Sequence, residues 1–512
     1  MAKPNIVLIT TDQHHHRALG IHDPVLQTPN LDRLAREGMV FRRAYCPNPT
    51  CSPTRASMIT GQYPAWHGCW AIGVKLPEDV PTVGEDFQSA GYDSILVGKA
   101  HFQPLSSQPG SESIEAQPTL RDLDFWRNFH GPWYGFNHVE TARMHAFESH
   151  VGGHYAIWME ENGLKNWADY FQQWPPDPEN EKYQMNHHRP DSMAWDLPEP
   201  YHHTHWVGER SAAHIERCAS SDQPFFLWAS FFDPHPQYAV PEPWASMYHP
   251  QDMEVGHLTP GEMRDMPPQY LKTQEEDPDF SKYAEEGGNA LHGFHSHLHT
   301  QEDMRKAQAV YYGMISLIDA EVGRILDALD ASGQAENTLV VFTTDHGHYL
   351  GQHGLIAKGA FHYEDLLRVP MMARWPGEIP AGVENEALQS LVDLPVTFLS
   401  ACDLPLPGSM QGLDQIQNWR KPDRRVRHHA IIENRHNPTT VHLRSLVTDR
   451  YKITVYRQAE YGELFDLVND PHEKTNLWND PSYAAIKSHL LLQFVQAEIQ
   501  REPTRMPRIA VA

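Results

Sequence analysis

The sequence predicts an α/β fold: a large, mostly parallel β-sheet sandwiched by helices, with a smaller C-terminal antiparallel α+β subdomain. Continuous apolar, β-branched runs at Ile6–Thr11 and Leu339–Thr344 read as strands buried on both faces, which is the habit of parallel sheets. Each run ends in polar residues, Asp12-Gln13 and Asp345-His346-Gly347-His348. A helical apolar stripe precedes the second run, so helix, turn, strand and polar ending repeat the order that α/β folds use.

The remaining elements follow in chain order. Thr28-Pro29 offers an N-cap and first-turn proline for a helix through Leu31, Leu34 and Ala35 that Gly38 stops. Asp93–Val97 reads as a strand ending at Gly98-Lys99-Ala100-His101, and Phe225–Ser230 as another ending near Asp233-Pro234-His235-Pro236. Residues 103–203 are rich in Pro, Gly, Trp and His, and 238–300 are similar and acidic; both read as loops and short helices covering one end of the sheet. Ile318, Val322, Ile325, Leu326 and Leu329 form the stripe of a helix over Asp303–Leu329, with Gly333 as terminator. Gly408–Arg425 reads as a linker, Leu443–Thr448 and Tyr451–Tyr456 as short strands, Ala484–Ile499 as a helix, and the last dozen residues as a tail. The expected division is residues 1–415 for the large domain and 416–512 for the small subdomain and tail.

With 41 Lys and Arg against 66 Asp and Glu, the 512-residue chain carries a net charge of −25. That sign excludes non-specific DNA or RNA binding, while a local cation cluster or metal can still hold an anionic small molecule. The first apolar run is too short to span a membrane and lacks a signal-peptide cleavage pattern. Five cysteines, Cys46, Cys51, Cys69, Cys218 and Cys402, are too few and odd in number for a disulfide framework. No membrane association and a cytoplasmic location are expected.

In an open α/β sheet, ligands meet the carboxyl ends of strands. If the strands ending at Asp12-Gln13 and Asp345-His346 are neighbours, two carboxylates, an amide oxygen and an imidazole converge on a site for one hard or borderline divalent ion. The alternative is that each Asp caps a helix and each His lies at the surface. His14, His15 and His16 cannot all face one ion from regular backbone, so they read as rim groups or supports behind the ligands. The clusters His202, His203, His205 and His292, His295, His297, His299 read as exposed loops or interfaces.

The segment Cys51-Ser52-Pro53-Thr54-Arg55, continuing to Thr60-Gly61, resembles the signature of the sulfatase family. In that family the cysteine is oxidised by a formylglycine-generating maturation enzyme, and the hydrated aldehyde is the nucleophile. The resemblance covers most of the chain. Asp12-Gln13 and Asp345-His346 match the two metal pairs, Lys99 and His101 the Lys-x-His segment, and His235 the histidine that touches the transferred group. Gly351-Gln352-His353-Gly354 with Lys358 resembles the stretch supplying a catalytic lysine, and Arg368-Val369-Pro370 and Glu463–Leu467 with Asp470-Pro471 are further landmarks. The fold implied is that of the alkaline phosphatase superfamily.

The resemblance implies one divalent ion held by Asp12, Gln13, Asp345, His346 and the oxidised Cys51. It implies that Arg55 orients the nucleophile, Lys99 and Lys358 neutralise sulfate oxygens, His235 protonates the leaving oxygen, and His101 takes the second geminal proton. Taken singly, the lysines could be solvated and His235 could cap a turn. Many sulfatases have carboxylates or Asn where this chain has Gln13 and His346, a pattern similar to the branch of phosphonate monoester hydrolases and promiscuous arylsulfatases. A less negative, softer donor set leans mildly toward Mn²⁺ or Zn²⁺ over Ca²⁺, while the family commonly uses calcium, so the expected ion is Mn²⁺ or Ca²⁺, with Zn²⁺ as a third choice. The expected activity is hydrolysis of small anionic sulfate monoesters with side activity on phosphonate and phosphate esters. The alternatives are a phosphonate monoester hydrolase or phosphodiesterase, or a catalytically silent anion-binding scaffold. The His- and Trp-rich insertions suit either a homodimer or homotetramer contact or a lid.

Overall fold

The computed structural model describes residues 3–174, 192–276, 278–285, 292–436, 439–502 and 509. Its centre is an eight-stranded sheet built from β1 (Asn5–Thr11), β2 (Met39–Phe41), β3 (Asp93–Lys99), β4 (His138–Ala142), β5 (Phe225–Ser230), β6 (Thr338–Thr344), β7 (Met372–Arg374) and β8 (Val383–Asn385). The spatial order is β8-β2-β7-β6-β1-β5-β3-β4. The central run β6-β1-β5-β3-β4 is parallel throughout, whereas β7 is antiparallel to both its neighbours. The carboxyl ends of five adjacent strands therefore open on one edge of the sheet.

Period-two alternation divides the core. Ile6 and Leu8 of β1 face one side with Leu339 and Val341, and Val7 and Ile9 face the other with Val340 and Phe342. The seven residues of β1 are all buried, which explains their uninterrupted apolar and Thr composition. The first side is covered by α2 (Cys51–Thr60) and the second by α1 (Pro29–Glu37), α3 (Gly153–Glu161), α4 (His203–Ala219) and α5 (Gln301–Ala331). Removing a side chain such as Leu8 to Ala would cost about 2–5 kcal/mol, because a filled two-sided core cannot collapse around the gap.

The long helix α5 opens with a capping box in which Thr300 and Asp303 satisfy each other's backbone, and it ends before Gly333, at φ +70°. The expected cap of α1 differs. The Thr28 hydroxyl donates to Asp32 at 3.1 Å, and the backbone N–H groups of Asn30 and Leu31 donate instead to Asp319 of α5, at 3.1 and 2.7 Å. A tertiary carboxylate thus does the work expected of a local hydroxyl.

Several expectations need correction. Residues 103–203 contribute β4 to the main sheet as well as loops and short helices, a strand too short and too polar (His-Val-Glu-Thr-Ala) to announce itself. His202 and His203 are buried at the start of α4, not on an exposed loop, and His205 is half-buried between Glu199 and Glu321. His292, His295, His297 and His299 are half-buried in loops and a single 3₁₀ turn. The expected linker over 408–425 contains a helical turn at Ile416–Arg420, whose Trp419 is buried against Phe41 at 5.3 Å between ring centroids. Of the expected C-terminal tail, only residues 501, 502 and 509 are described.

Beyond it, β9 (Ala430–Arg435), β10 (His442–Val447), β11 (Tyr451–Tyr456) and β12 (Gly462–Asp466) form an antiparallel meander. One face packs under α6 (Ala484–Gln500) through Leu446, Ile453, Leu464 and Phe494. The other face, with Leu443, Tyr456 and Phe465, packs on Tyr349, Phe361 and Tyr363. Asn434 also donates to Gly359 O at 3.3 Å, so this sheet supports the chain segment that carries Lys358.

Candidate active site

Every strand-end residue singled out above lies on the carboxyl edge of the parallel run. Asp12-Gln13 follow β1, Lys99 closes β3 with His101 two residues on, His235 lies beyond β5, and Asp345-His346 follow β6. Cys51 is the first residue of α2, whose ten residues are all buried and whose left-handed cap at Gly61 returns a hydrogen bond to Ser57 O. A helix N-terminus favours negative charge, so residue 51 stands where an oxyanion is stabilised. Gly98, at φ +102°, permits the sharp exit of β3, since a Cβ there would fall 1.9 Å from Ser230 O.

Asp12, Cys51, Asp345 and His346 offer ligand atoms that all lie within 4.8 Å of one another. The two strand ends, more than 300 residues apart in sequence, do meet. Cys51 Sγ is 3.6 Å from Asp12 Oδ1, 3.3 Å from His346 Nε2 and 3.2 Å from Lys358 Nζ. Lys358 Nζ also reaches His235 Nε2 at 3.1 Å. Lys99 pairs with Asp12 Oδ2 and contacts His145 Nε2 at 2.7 Å. Arg55 points back from α2: Nε donates to Asp345 Oδ2 at 2.9 Å, and Nη1 donates to Lys99 O at 2.8 Å and Ser230 Oγ at 2.7 Å.

The donor set fits a divalent cation. His346 Nδ1 donates to Gly347 O at 2.9 Å, which leaves the Nε2 lone pair for the cluster. Gln13 Nε2 donates to His348 Nδ1 at 2.8 Å, so His348 Nε2 carries the ring proton and donates to Tyr238 Oη at 2.7 Å. Gln13 Oε1 is buried and has no hydrogen-bond partner among the described residues. Such an orphaned acceptor, held in a backbone at φ +61°, is what a cation would satisfy.

The charges are interdependent. Burial opposes ionisation of Asp12, but Lys99, His235, His145 and Arg55 together outweigh it and hold the carboxyl well below its usual range. Burial and the Asp12 charge push the Cys51 thiol up, yet the surrounding positive groups, Lys358 and Lys99 foremost among them, together bring it down to about 6. Burial, then the charges of His145 and Lys358, keep His235 well below the usual imidazole range. Burial lowers Lys99, with Asp12 opposing.

His101 stands one step back. Its Nε2 accepts from Arg143 Nη2 at 2.7 Å and its backbone N–H donates to Glu115 at 2.9 Å. No hydrogen bond among the described residues joins it to Cys51. Arg143, His145 and Glu115 were not found by reading the sequence, and His348 was named only as part of the polar ending of β6. Arg143 and His145 sit at the end of β4 and would have been found by the strand-end logic had that strand been recognised; His145 stacks on His235 with centroids 3.7 Å apart.

The comparisons agree with this geometry. Residues 4–404 match the family described as Sulfatase, and residues 351–500 match N-sulphoglucosamine sulphohydrolase, C-terminal. An arylsulfatase of Clostridium perfringens is 29% identical over 489 residues, spanning 94% of this chain and 91% of that protein. The multifunctional alkaline phosphatase superfamily protein PehA of Trinickia caryophylli is 28% identical over 514 residues, spanning 95% and 93%. Among solved structures, the phosphonate monoester hydrolase SpPMH from Silicibacter pomeroyi superposes with a TM-score of 0.77 at 22% identity, over 98% of this chain and 96% of that one, a likeness of fold. No helix of the described residues is long and apolar enough to cross a membrane. A family match over most of the chain, and a buried cluster of the type that family uses for hydrolysis, lead to one conclusion: this chain belongs to the sulfatase family, within the alkaline phosphatase superfamily of hydrolases.

Proposed function

We propose that the protein hydrolyses sulfate monoesters of small molecules, with side activity on phosphonate and phosphate esters, after a maturation enzyme oxidises Cys51 to formylglycine. The observation that carries the reading is the convergence of Asp12, Cys51, Asp345 and His346 within 4.8 Å, with Lys358 against residue 51. When present, a divalent ion (Mn²⁺ or Ca²⁺, with Zn²⁺ as a third choice) supplies a Lewis acid for an ester oxygen, and the oxidised residue 51 supplies the attacking oxygen. Asp12, Gln13, Asp345 and His346 would hold the ion.

The chain's own groups do the rest. Arg55 fixes Asp345 and the end of β3, so the ligand and the first turn of α2 stay in register. Lys99 and Lys358 place two ammonium groups where negative charge collects on the transferred group. His235 Nδ1 donates to Pro236 O, which leaves Nε2 to accept from Lys358. The pair therefore shares the proton that goes to the departing oxygen. His101, whose Nε2 is held by Arg143, is assigned the proton that residue 51 releases in the second half-reaction.

In the same reading, residues 1–415 form the catalytic domain and 416–512 the subdomain that braces the Lys358 segment. Five free cysteines support a cytoplasmic location. A homodimer or homotetramer is part of the proposal.

A phosphonate or phosphodiester preference is the second reading, favoured by Gln13 and His346, which make the ion site less negative than an all-carboxylate set. Esters of one phenol with sulfate, phosphonate and phosphodiester groups separate the two. The proposal predicts the largest kcat/KM for the sulfate ester, and dominance of the phosphonate would contradict it.

A further inference from the structure

The three successive histidines after Gln13 divide between two environments. His14 turns into the fold, with Nδ1 3.2 Å from Thr11 Oγ1 and Nε2 2.7 Å from Ala18 O. His15 and His16 turn the other way, toward Asp365 in the short helix Glu364–Leu367. His15 Nε2 lies 3.0 Å from Asp365 Oδ1, and the ligand atoms of His15, His16 and Asp365 are mutually within 4.8 Å. The other carboxylate oxygen, Oδ2, faces His353 Nε2 at 3.8 Å.

We propose that Asp365, His15 and His16, with His353 completing the set, form a second metal site that takes a borderline divalent transition-metal ion such as Zn²⁺. It shares no residue with the Asp12–Cys51–Asp345–His346 cluster and does not rest on the hydrolytic reading. Four observations carry it. His353 Nδ1 lies 3.0 Å from Glu262 Oε1, and a carboxylate behind a ring nitrogen is the arrangement that fixes a metal-ligating histidine with its other nitrogen outward. The ring is further locked flat on Tyr363, centroids 3.5 Å apart. His16 Nδ1 is buried without a partner among the described residues.

Access and charge provide the fourth. His15, His353 and Asp365 line a solvent-connected cavity of about 560 Å³ whose wall carries five carboxylates against Arg17 and Lys474. That balance attracts a cation although the neighbouring Arg368 opposes one at His16. Three imidazoles and one carboxylate select a borderline ion over Ca²⁺ or Mg²⁺, which prefer an all-oxygen set. The proton on His15 Nε2 leaves to solvent as the ion enters. Occupation would tie the loop after β1 to the Gln352–Gly354 turn that leads to Lys358.

Anomalous diffraction at the zinc edge, on crystals of the full chain equilibrated with Zn²⁺, tests the site without any variant. The proposal predicts a peak about 2.0–2.2 Å from an Asp365 oxygen and from at least two of the three imidazoles. Native mass spectrometry of Asp365→Asn and of His353→Gln should show one tightly bound Zn²⁺ fewer than wild type, or at least about tenfold weaker retention of it. The Asp345 cluster should keep its ion in both. A peak at the Asp345 cluster with none at Asp365, or equal zinc retention in wild type and both variants, overturns the proposal.

Discussion

Arg55 and Asp345, 290 residues apart in sequence and both without solvent exposure, meet through an Nε–Oδ2 contact of 2.9 Å. The same guanidinium reaches Lys99 O and Ser230 Oγ, so one side chain ties the first turn of α2 to the ends of β3, β5 and β6. A buried carboxylate that has lost its partner is costly. Arg55→Ala should destabilise the protein by about 3–5 kcal/mol in urea unfolding. Arg55→Lys keeps the charge but loses the fork, and should lower kcat on the order of 10²-fold with a smaller stability loss. Wild-type stability in the alanine variant would show that the pair is solvated.

Gln13 offers the proposed ion site an amide oxygen that has no hydrogen-bond partner among the described residues. Replacing it by Leu should weaken retention of the ion at the Asp345 cluster by about 10–100-fold, a range typical of losing one supporting group at a metal site. Metal titration of chelator-stripped protein reads this directly, and circular dichroism should be unchanged.

His235 and Lys358 share a proton in the proposed reaction, and that proton matters only when the leaving oxygen is basic. His235→Ala should therefore slow esters of poor leaving groups by about 10²–10⁴-fold while leaving strongly activated phenol esters nearly untouched. A uniform loss across leaving groups would assign His235 to binding instead.

Glu463 is fully buried in the C-terminal sheet, where Tyr456 donates to its Oε1 and Tyr270 does so at 3.1 Å. Burial pushes its carboxyl up to about 7, with Tyr456 and Lys452 restraining the rise. The folded state thus holds this proton more tightly than the unfolded chain. Its stabilisation is full below the unfolded value near 4.5 and is lost as pH rises through about 7. Between pH 5 and 8, wild type should lose about 2–3 kcal/mol relative to Glu463→Gln, whose amide does not titrate. Parallel pH profiles for the two proteins would contradict the assignment.

The site was legible in the sequence to the extent that buried parallel strands are. Ile6–Thr11 and Leu339–Thr344 are unmistakable because both faces are covered, and the polar residues after each mark the functional edge. β4 was missed because it pairs with β3 alone at the sheet edge and mixes His, Glu and Thr with two apolar residues, and Arg143 and His145 were lost with it. His202 and His203 misled because a polar run normally signals exposure. Here Asp233, whose Oδ2 accepts from Thr204 at 2.8 Å, lies within 4 Å of both imidazoles inside the fold. The antiparallel β7 is three residues long, below any periodicity test.

The chemistry as a whole turns on what residue 51 is in the working enzyme. Mass analysis of the peptide spanning it, from protein made in its natural host and assayed for sulfate ester turnover, should find an aldehyde in place of the thiol in the active fraction. Full activity in protein that carries an unmodified thiol at residue 51 would contradict the account.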